Sequence, residues 1–249
     1  MRVLHLTDPH LFADRSGSLR GAVTYDTLRA VIEHYREGNF EADLIALTGD
    51  IIQDDSAGAY SHCRDLLSAL DLPVFCVPGN HDVRYLMRET LPNPPFSYCG
   101  SLATGNWLIV GVDSCSAGRA GGKIAERELR RMEEAIAASS EDHVLICLHH
   151  PPVQMHSRWL DSVGLDNGDE FLSRAGSAGR VRAAIFGHVH QDYDASHNGI
   201  RLIATPSTCR QFLPRADEFA VDDRPPAYRC IELRPDGGID LELVWVDRG

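Results

Sequence analysis

The sequence contains no uncharged apolar stretch of the roughly eighteen residues that a membrane-spanning helix needs, and its longest apolar runs are of strand length. Positive charge is also scarce, because 24 Lys and Arg stand against 36 Asp and Glu, for a formal net charge of −12. This balance disfavours binding to a long polyanion such as DNA or to an anionic membrane. We therefore expect a small-molecule substrate, with neither a nucleic acid nor a membrane as partner.

Paired cysteines are absent as well. The seven cysteines form no CxxC motif, their number is odd, and Cys76 and Cys147 stand inside apolar, strand-like runs. These are features of reduced, packed thiols, and they predict a cytoplasmic protein. Asp8, the first residue with a candidate chemical role, follows the first apolar run directly. We therefore expect the N-terminus to belong to the fold rather than to a cleavable leader.

What the sequence does contain is an alternation of strand-like and helical patterns, in a chain of 249 residues with 43% hydrophobic content. We interpret it as a single domain over residues 1–249. Helices are predicted at about 23–35, 56–70 and 126–138, and a proline-rich loop contains Pro92, Pro94 and Pro95. The predicted strands are 2–6, 44–48, 73–77, 107–112, 143–148, 181–186, 199–204, 228–233 and 239–246. This order predicts a layered α/β sandwich with sheets in the middle and helices outside.

Polar side chains follow five of these strands directly. They are Asp8 and His10, Asp50, Asn80 and His81, His149, and His188 with His190. Because open α/β sheets gather their ligand sites at the ends of strands, we expect these side chains to converge. Carboxylate, imidazole and amide oxygen suit divalent metals such as manganese, iron or zinc, and the absence of thiolates argues against a structural zinc site.

Each motif also has a structural interpretation. Asp8 and Asp50 are typical of turns or helix caps, and His149 is compatible with a buried, satisfied histidine at a strand end. The Gly-Asn-His-Asp motif at 79–82 is more informative, because its polar side chains would otherwise lie at the edge of the core. The Gly-His-Val-His motif at 187–190 places two imidazoles on one face or within reach of adjacent ions. Together, five motifs at strand ends favour a metal site.

In this order the motifs Asp-x-His, Gly-Asp, Gly-Asn-His-Asp, His-x-Pro and Gly-His-x-His resemble the calcineurin-like metallophosphoesterase superfamily, over residues 8–190. The His-His-Pro-Pro form at 149–152 and the segments 204–209 and 219–228 are similar to bacterial class III 3′,5′-cyclic-nucleotide phosphodiesterases. The resemblance implies an α/β fold, a four-layer α/β/β/α sandwich with mixed sheets flanked by helices. It also implies two divalent metal ions, with iron or manganese ahead of zinc or cobalt.

The resemblance further implies which residues hold the two ions. One ion would be held by Asp8, His10, Asp50 and His190. The other would be held by Asp50, Asn80, His149 and His188, so that Asp50 bridges the two. His149 is preferred to His150 because the ligand of the family precedes the proline by two positions. His150 and Asp82 are then candidates for supporting roles.

The activity that the resemblance implies is hydrolysis of 3′,5′-cyclic AMP to 5′-AMP, by in-line attack of a hydroxide held between the ions. Asp50 and His81 would be the catalytic residues, with His81 assisting departure of the leaving oxygen. Substrate contacts would come from Asn80, His81 and His190. Candidates for the base and ribose pocket are Asp113, His156, Arg158 and 205–209, although solvated loop positions also account for His156 and Arg158.

Two alternatives stay open. The same fold and metal site would serve another substrate, such as a glycerophosphodiester, a 2′,3′-cyclic nucleotide or a phosphomonoester. The sequence is compatible with either a monomer or a homo-oligomer. A nuclease is disfavoured because the sequence has no basic patch. A non-catalytic binding protein of this fold would be expected to lack ligands or the catalytic histidine, and this sequence has them all.

Overall fold

The computed structural model describes residues 1–91 and 94–247. Its helices are α1 (Thr24–Glu37), α2 (Ala57–Ser68), α3 (Arg84–Thr90), α4 (Glu126–Ala138), α5 (Arg158–Asp161) and α6 (Gly168–Ser177). Its strands are β1 (Arg2–Leu6), β2 (Ser18–Leu19), β3 (Ala22–Val23), β4 (Leu44–Leu47), β5 (Val74–Cys76), β6 (Phe96–Tyr98), β7 (Gly100–Thr104), β8 (Trp107–Gly111), β9 (His143–Cys147), β10 (Val181–Phe186), β11 (Tyr193–His197), β12 (Ile200–Ala204), β13 (Gln211–Phe212), β14 (Val221–Asp222), β15 (Ala227–Leu233) and β16 (Ile239–Trp245). Within these ranges no helix is both long and apolar enough to span a bilayer.

Two mixed six-stranded sheets form the middle of the molecule. The first sheet has the order β16-β15-β1-β4-β5-β6, and the second has the order β11-β12-β10-β9-β8-β7. Apolar side chains of both sheets pack together between them, while α1 to α3 cover the outer face of the first and α4 to α6 the outer face of the second. The predicted four-layer α/β/β/α sandwich is therefore confirmed.

Strand β1 shows why the sequences of the central strands are largely apolar. Val3 faces the layer between the sheets, whereas Leu4 and Leu6 face the helices. All three side chains are fully buried, as expected for a strand that is covered on both faces. Burial of each such side chain contributes about 1.5–3 kcal/mol to stability.

Helix α6, with ten residues, was not predicted, and most of the other missing elements are short or lie at edges. Helix α3 has seven residues and only Met87 fully buried, so it leaves no clear helical period. Strands β7 and β11 are edge strands with partly exposed side chains. Within the predicted proline-rich loop, Pro94 and Pro95 form a turn before β6, and Pro92 lies outside the described residues.

The parallel strands of both sheets end at one edge of the sandwich, and their loops are bonded to one another there. Asp8 N donates to Gly49 O at 3.1 Å, and Gly187 N donates to His149 O at 3.2 Å. His188 N crosses between the sheets and donates to Asp8 Oδ2 at 3.0 Å. The predicted convergence of strand ends is thus observed.

Candidate metal centre

Five residues of these loops adopt a backbone conformation that L-residues seldom use. Their φ angles are positive: 52° for Asp8, 47° for His10, 49° for Asp50, 66° for His188 and 50° for His190. Such a conformation costs on the order of 1–3 kcal/mol per residue and persists where the surroundings enforce it. Five of the seven predicted metal ligands therefore adopt this strained conformation.

One cluster consists of Asp8, His10 and His190, whose ligand atoms lie within 4.8 Å of one another. His10 Nδ1 is 2.8 Å from Gln53 Oε1, and His190 Nδ1 is 2.5 Å from Arg210 O. Both oxygens are acceptors, so each ring carries its proton on Nδ1. The two Nε2 atoms then face each other at 3.1 Å, and His190 Nε2 is 3.3 Å from Asp8 Oδ1. Two imidazole nitrogens and a carboxylate oxygen that converge in this way form a ligand set that fits a cation.

The second cluster consists of Asn80, His149 and His188. His149 Nδ1 donates to Thr48 O at 2.8 Å, which directs Nε2 into the cluster. Asn80 Oδ1 lies 3.2 Å from His149 Nε2 and 3.0 Å from His188 Nδ1, and these two nitrogens are 3.2 Å apart. One oxygen and two imidazole nitrogens therefore converge on one position, as in sites for divalent transition metals.

Asp50 lies between the two clusters. Its Oδ2 is 3.8 Å from His10 Nε2 on one side and 3.4 Å from His149 Nε2 on the other. The other oxygen, Oδ1, accepts the His81 backbone N–H at 2.9 Å. This carboxylate is the group placed to contact ions in both clusters, as the predicted bridging role requires.

Burial and mutual charge set the protonation of the cluster. Burial would raise the pKa of the Asp8 carboxyl, but the adjacent His190 outweighs it and lowers that pKa to about 2. Burial would also raise the pKa of the Asp50 carboxyl, but the adjacent His149 holds that pKa well below its ordinary value. Burial would lower the pKa of His149, yet the Asp50 carboxylate raises it to about 9. Burial lowers the pKa of His10 to about 4. At neutral pH the metal-free protein therefore holds ionised carboxylates, a neutral His10 and a protonated His149.

Metal binding must displace the His149 proton, because Nε2 cannot hold a proton and an ion together. We expect metal titration at pH 7 to release about one proton per chain from this residue. We also expect affinity to rise with pH up to about 9, above which His149 is already neutral. Calorimetric titration in buffers of different ionisation enthalpy measures this release. A binding heat that is independent of the buffer would contradict it.

His81 stands at the rim of the cluster, half-buried, and its proton position is set by Gln53. Gln53 Oε1 accepts from His10 Nδ1, so its amide nitrogen is the group that donates to His81 Nδ1, at 3.3 Å. Nε2 of His81 is left to carry the proton and to donate it. Gln53 was not predicted, because a single glutamine in a loop has no chemical signature in the sequence.

The two candidates for supporting roles have different environments. The Asp82 carboxylate accepts from Gly79 N at 2.8 Å, Tyr60 Oη at 2.8 Å and Ile51 N at 3.2 Å, which ties two of the loops together. Burial, followed by the charge of Asp50, raises its pKa to about 7.

His150 lies beside the second cluster, but both of its ring nitrogens are engaged elsewhere. Nδ1 is 2.9 Å from Ser114 Oγ and Nε2 is 3.0 Å from Ala120 O. Of the two neighbouring histidines, His149 is the one that directs a nitrogen at Asp50. This geometry favours His149 over His150 as the ligand.

The expectation that segment 205–209 lines a substrate pocket is wrong. Thr205, Ser207 and Thr208 are fully buried behind the cluster. Ser207 Oγ donates to Asp8 O at 2.7 Å, so the segment supports the loop that carries Asp8. A run of hydroxyl residues after a strand suggests exposure, yet here each hydroxyl has a buried partner.

The other pocket candidates have contacts of their own. Asp113 forms an ion pair with Arg84, with Nε and Oδ2 2.5 Å apart. His156 is exposed, and Arg158, the first residue of α5, is three-quarters exposed and lies 4.0 Å from Asp217. Exposure to solvent accounts for both.

Two glycines are required by close approach of these loops. A Cβ at Gly187 would overlap Thr7 Oγ1 and come within 2.5 Å of Asp8 Oδ2. A Cβ at Gly79 would overlap the Asp50 backbone nitrogen and carboxylate. These positions let backbone pack directly against the two carboxylates, which explains the glycine in each motif.

Comparison with known proteins agrees with the site. Residues 1–192 match the calcineurin-like phosphoesterase family. The chain is 36% identical over 250 residues to the 3′,5′-cyclic adenosine monophosphate phosphodiesterase CpdA of Vibrio vulnificus, covering 100% of this chain and 91% of that protein.

Solved structures share the fold. A dimetal phosphatase from Danio rerio superposes with a TM-score of 0.68 at 16% identity, covering 99% of both chains. GAP50, the anchor in the inner membrane complex of Plasmodium, superposes with a TM-score of 0.69 at 15% identity, covering 100% of this chain and 85% of that one. At these identities the likeness shows the fold alone, so it is the sequence match and the dimetal motifs that identify the family. The chain belongs to the calcineurin-like phosphoesterases and is related over its full length to bacterial CpdA.

Proposed function

We propose that this chain is a phosphodiesterase with two divalent metal ions and that it hydrolyses 3′,5′-cyclic AMP to 5′-AMP. The observation that carries the proposal is the meeting of two clusters of nitrogen and oxygen ligand atoms on either side of Asp50. The full-length relationship to CpdA supports cyclic AMP as the substrate.

In this proposal each cluster would hold one ion, and Asp50 would be a ligand of both. The first ion would be held by Asp8, His10, Asp50 and His190, and the second by Asp50, Asn80, His149 and His188. Nitrogen and oxygen donors without a thiolate favour iron or manganese, and zinc or cobalt would also be accepted. When bound, such a pair of ions supplies a hydroxide nucleophile at neutral pH and neutralises phosphoryl oxygens.

The residues at the rim would orient the substrate and handle the proton. Asn80 and His81 are half-buried, so they are accessible to a phosphodiester that enters from solvent. The nucleophilic oxygen forms a bond to phosphorus while the bond from phosphorus to the ribose 3′ oxygen breaks. His81 Nε2–H, oriented by Gln53, would give its proton to that leaving oxygen. His190 would contribute to the phosphate contact from the opposite cluster.

Product analysis tests this proposal directly. Protein loaded with Mn²⁺ or Fe²⁺ is expected to convert cyclic AMP to 5′-AMP. The conversion is monitored by chromatography. Values of kcat/KM are compared with those for glycerophosphocholine, 2′,3′-cyclic AMP, bis-p-nitrophenyl phosphate and p-nitrophenyl phosphate. A clear preference for another ester would overturn cyclic AMP as the substrate, and formation of 3′-AMP would overturn the ribose 3′ oxygen as the leaving group; both results would leave the metal centre in place.

A further inference from the structure

His5 is a polar residue in the otherwise apolar layer between the two sheets. It lies on β1 two residues after Val3, on the same face, and is fully buried. Both ring nitrogens are engaged: Nε2 is 2.8 Å from Thr48 Oγ1, and Nδ1 is 2.7 Å from Thr205 Oγ1. The ring therefore joins the end of β4 in the first sheet to the end of β12 in the second.

These contacts continue to the Asp8 carboxylate. Thr48 Oγ1 donates to Thr7 Oγ1 at 2.8 Å, and Thr7 Oγ1 donates to Asp8 Oδ2 at 2.6 Å. The alternative acceptor for the Thr7 hydroxyl, Thr48 O, is farther away at 3.3 Å. At the other end, Arg229 Nε donates to Thr205 Oγ1 at 3.3 Å. All six residues are at most 4% exposed, and we call Arg229, Thr205, His5, Thr48 and Thr7 the His5 chain.

The two charged ends fix the direction of every hydrogen bond in the His5 chain. The Asp8 carboxylate can only accept, so the single hydroxyl hydrogen of Thr7 is used there, and Thr7 must accept from Thr48. Thr48 in turn must accept from His5 Nε2–H. A neutral His5 then accepts at Nδ1 from Thr205, which accepts from the guanidinium of Arg229. Donors aligned in one direction polarise and strengthen one another in a low-dielectric interior.

The consequence at Asp8 is that its two oxygens are no longer equivalent. Oδ2 receives the Thr7 hydroxyl at 2.6 Å, whereas the His188 backbone N–H is shared between Oδ2 at 3.0 Å and Oδ1 at 3.2 Å. Oδ1 is directed to the first cluster, 3.3 Å from His190 Nε2 and 3.9 Å from His10 Nε2. A carboxylate held in this way would present Oδ1 to a metal ion.

We propose that the His5 chain is a positioning element that locks the Asp8 carboxylate with Oδ1 toward the first cluster and so sets metal affinity there. The inference rests on the metal centre of the proposed function, but not on the identity of the substrate. Thr7, Thr48, His5 and Thr205 act through Asp8 and touch no substrate.

Paired threonine variants test the His5 chain. Thr48→Val keeps the side-chain shape but breaks the His5 chain. It is expected to weaken Mn²⁺ binding at the first cluster about 10- to 100-fold, as measured by calorimetry. Thr48→Ser restores the hydroxyl and should restore the affinity. Thr208→Val is the matched control, because Thr208 Oγ1 is equally buried and donates to the backbone oxygen of Thr7 at 3.3 Å, which is not part of the His5 chain. Equal affinities in Thr48→Val and Thr208→Val would overturn the inference.

A double-mutant cycle separates a connected chain from independent packing effects. Thr205→Val is expected to weaken metal binding as Thr48→Val does, and the loss of affinity should be no larger than in Thr48→Val. Once Thr48 has broken the chain, Thr205→Val should add little, so the effects are less than additive. Strict additivity would overturn the proposed connection. Should Thr48→Val fail to fold, Thr205→Val with its serine counterpart supplies the same comparison.

The metal-free wild-type protein gives a readout that needs neither activity nor a variant. The direction of the His5 chain requires His5 to carry its proton on Nε2 and none on Nδ1. Nitrogen NMR of the histidine rings is expected to show this tautomer, and a proton on Nδ1 would overturn the inference. If wild-type protein binds metal and shows the tautomer but does not hydrolyse cyclic AMP, the substrate proposal fails and the His5 chain stands.

Discussion

Asp50→Ala is expected to abolish tight metal binding in both clusters and to lower kcat/KM for cyclic AMP by about 10³-fold or more. The Asp50 carboxylate lies between the two clusters, at 3.8 Å from His10 Nε2 and 3.4 Å from His149 Nε2. Its loss removes a negative charge from both positions at once. It also leaves the buried, protonated His149 without its counter-ion.

Elemental analysis after loading and desalting measures the loss of metal, and circular dichroism checks that the variant folds. Asp65→Ala is the matched control, because this carboxylate on α2 is 58% exposed and pairs only with its neighbour Arg64. Asp65→Ala should keep both ions and full activity. An Asp50→Ala protein that still holds two ions tightly would contradict the bridging role.

His81→Ala is expected to keep both metal ions and to lower kcat for cyclic AMP by about 10²- to 10⁴-fold, the usual contribution of a general acid. The ring of His81 lies edge-on against the ring of His10, with centroids 5.1 Å apart, but belongs to neither of the two clusters described above. Its backbone N–H, which donates to Asp50 Oδ1, remains in the alanine variant. Metal binding and turnover should therefore separate in this variant.

The dependence on the leaving group tests the role of His81 as a proton donor. An ester of p-nitrophenol releases a weakly basic oxygen that needs little protonation, so the defect of His81→Ala should be much smaller for it than for cyclic AMP. His197→Ala on the edge strand β11 is the control and should change neither rate. A His81→Ala protein with two ions and an unchanged rate on cyclic AMP would refute the assignment.

The position of the centre was predictable because of the way the central strands are buried. Strands covered on both faces are largely apolar, so the polar residues that follow them, such as Asp8 or His149, mark the end of a strand. Parallel strands bring those ends to one edge, and five motifs with compatible ligand chemistry then indicate one site.

The contacts that hold the ligands were not predictable, because they join distant parts of the chain through side chains with no chemical signature of their own. Gln53 orients His10 and His81, yet a single glutamine in a loop is unremarkable in a sequence. His5 and Thr205 are 200 positions apart. Their pairing follows only from the packing of the two sheets. The positive φ angles at the ligand residues are likewise imposed by the assembled loops.

The most direct test of the account is the metal content of the folded wild-type protein. Metal-free protein is dialysed against Mn²⁺ or Fe²⁺ under anaerobic conditions, and bound metal is determined by elemental analysis against protein concentration. Two equivalents per chain are expected, one for each of the two clusters beside Asp50. A folded protein that takes up no metal, or only one equivalent, under every loading condition would contradict it.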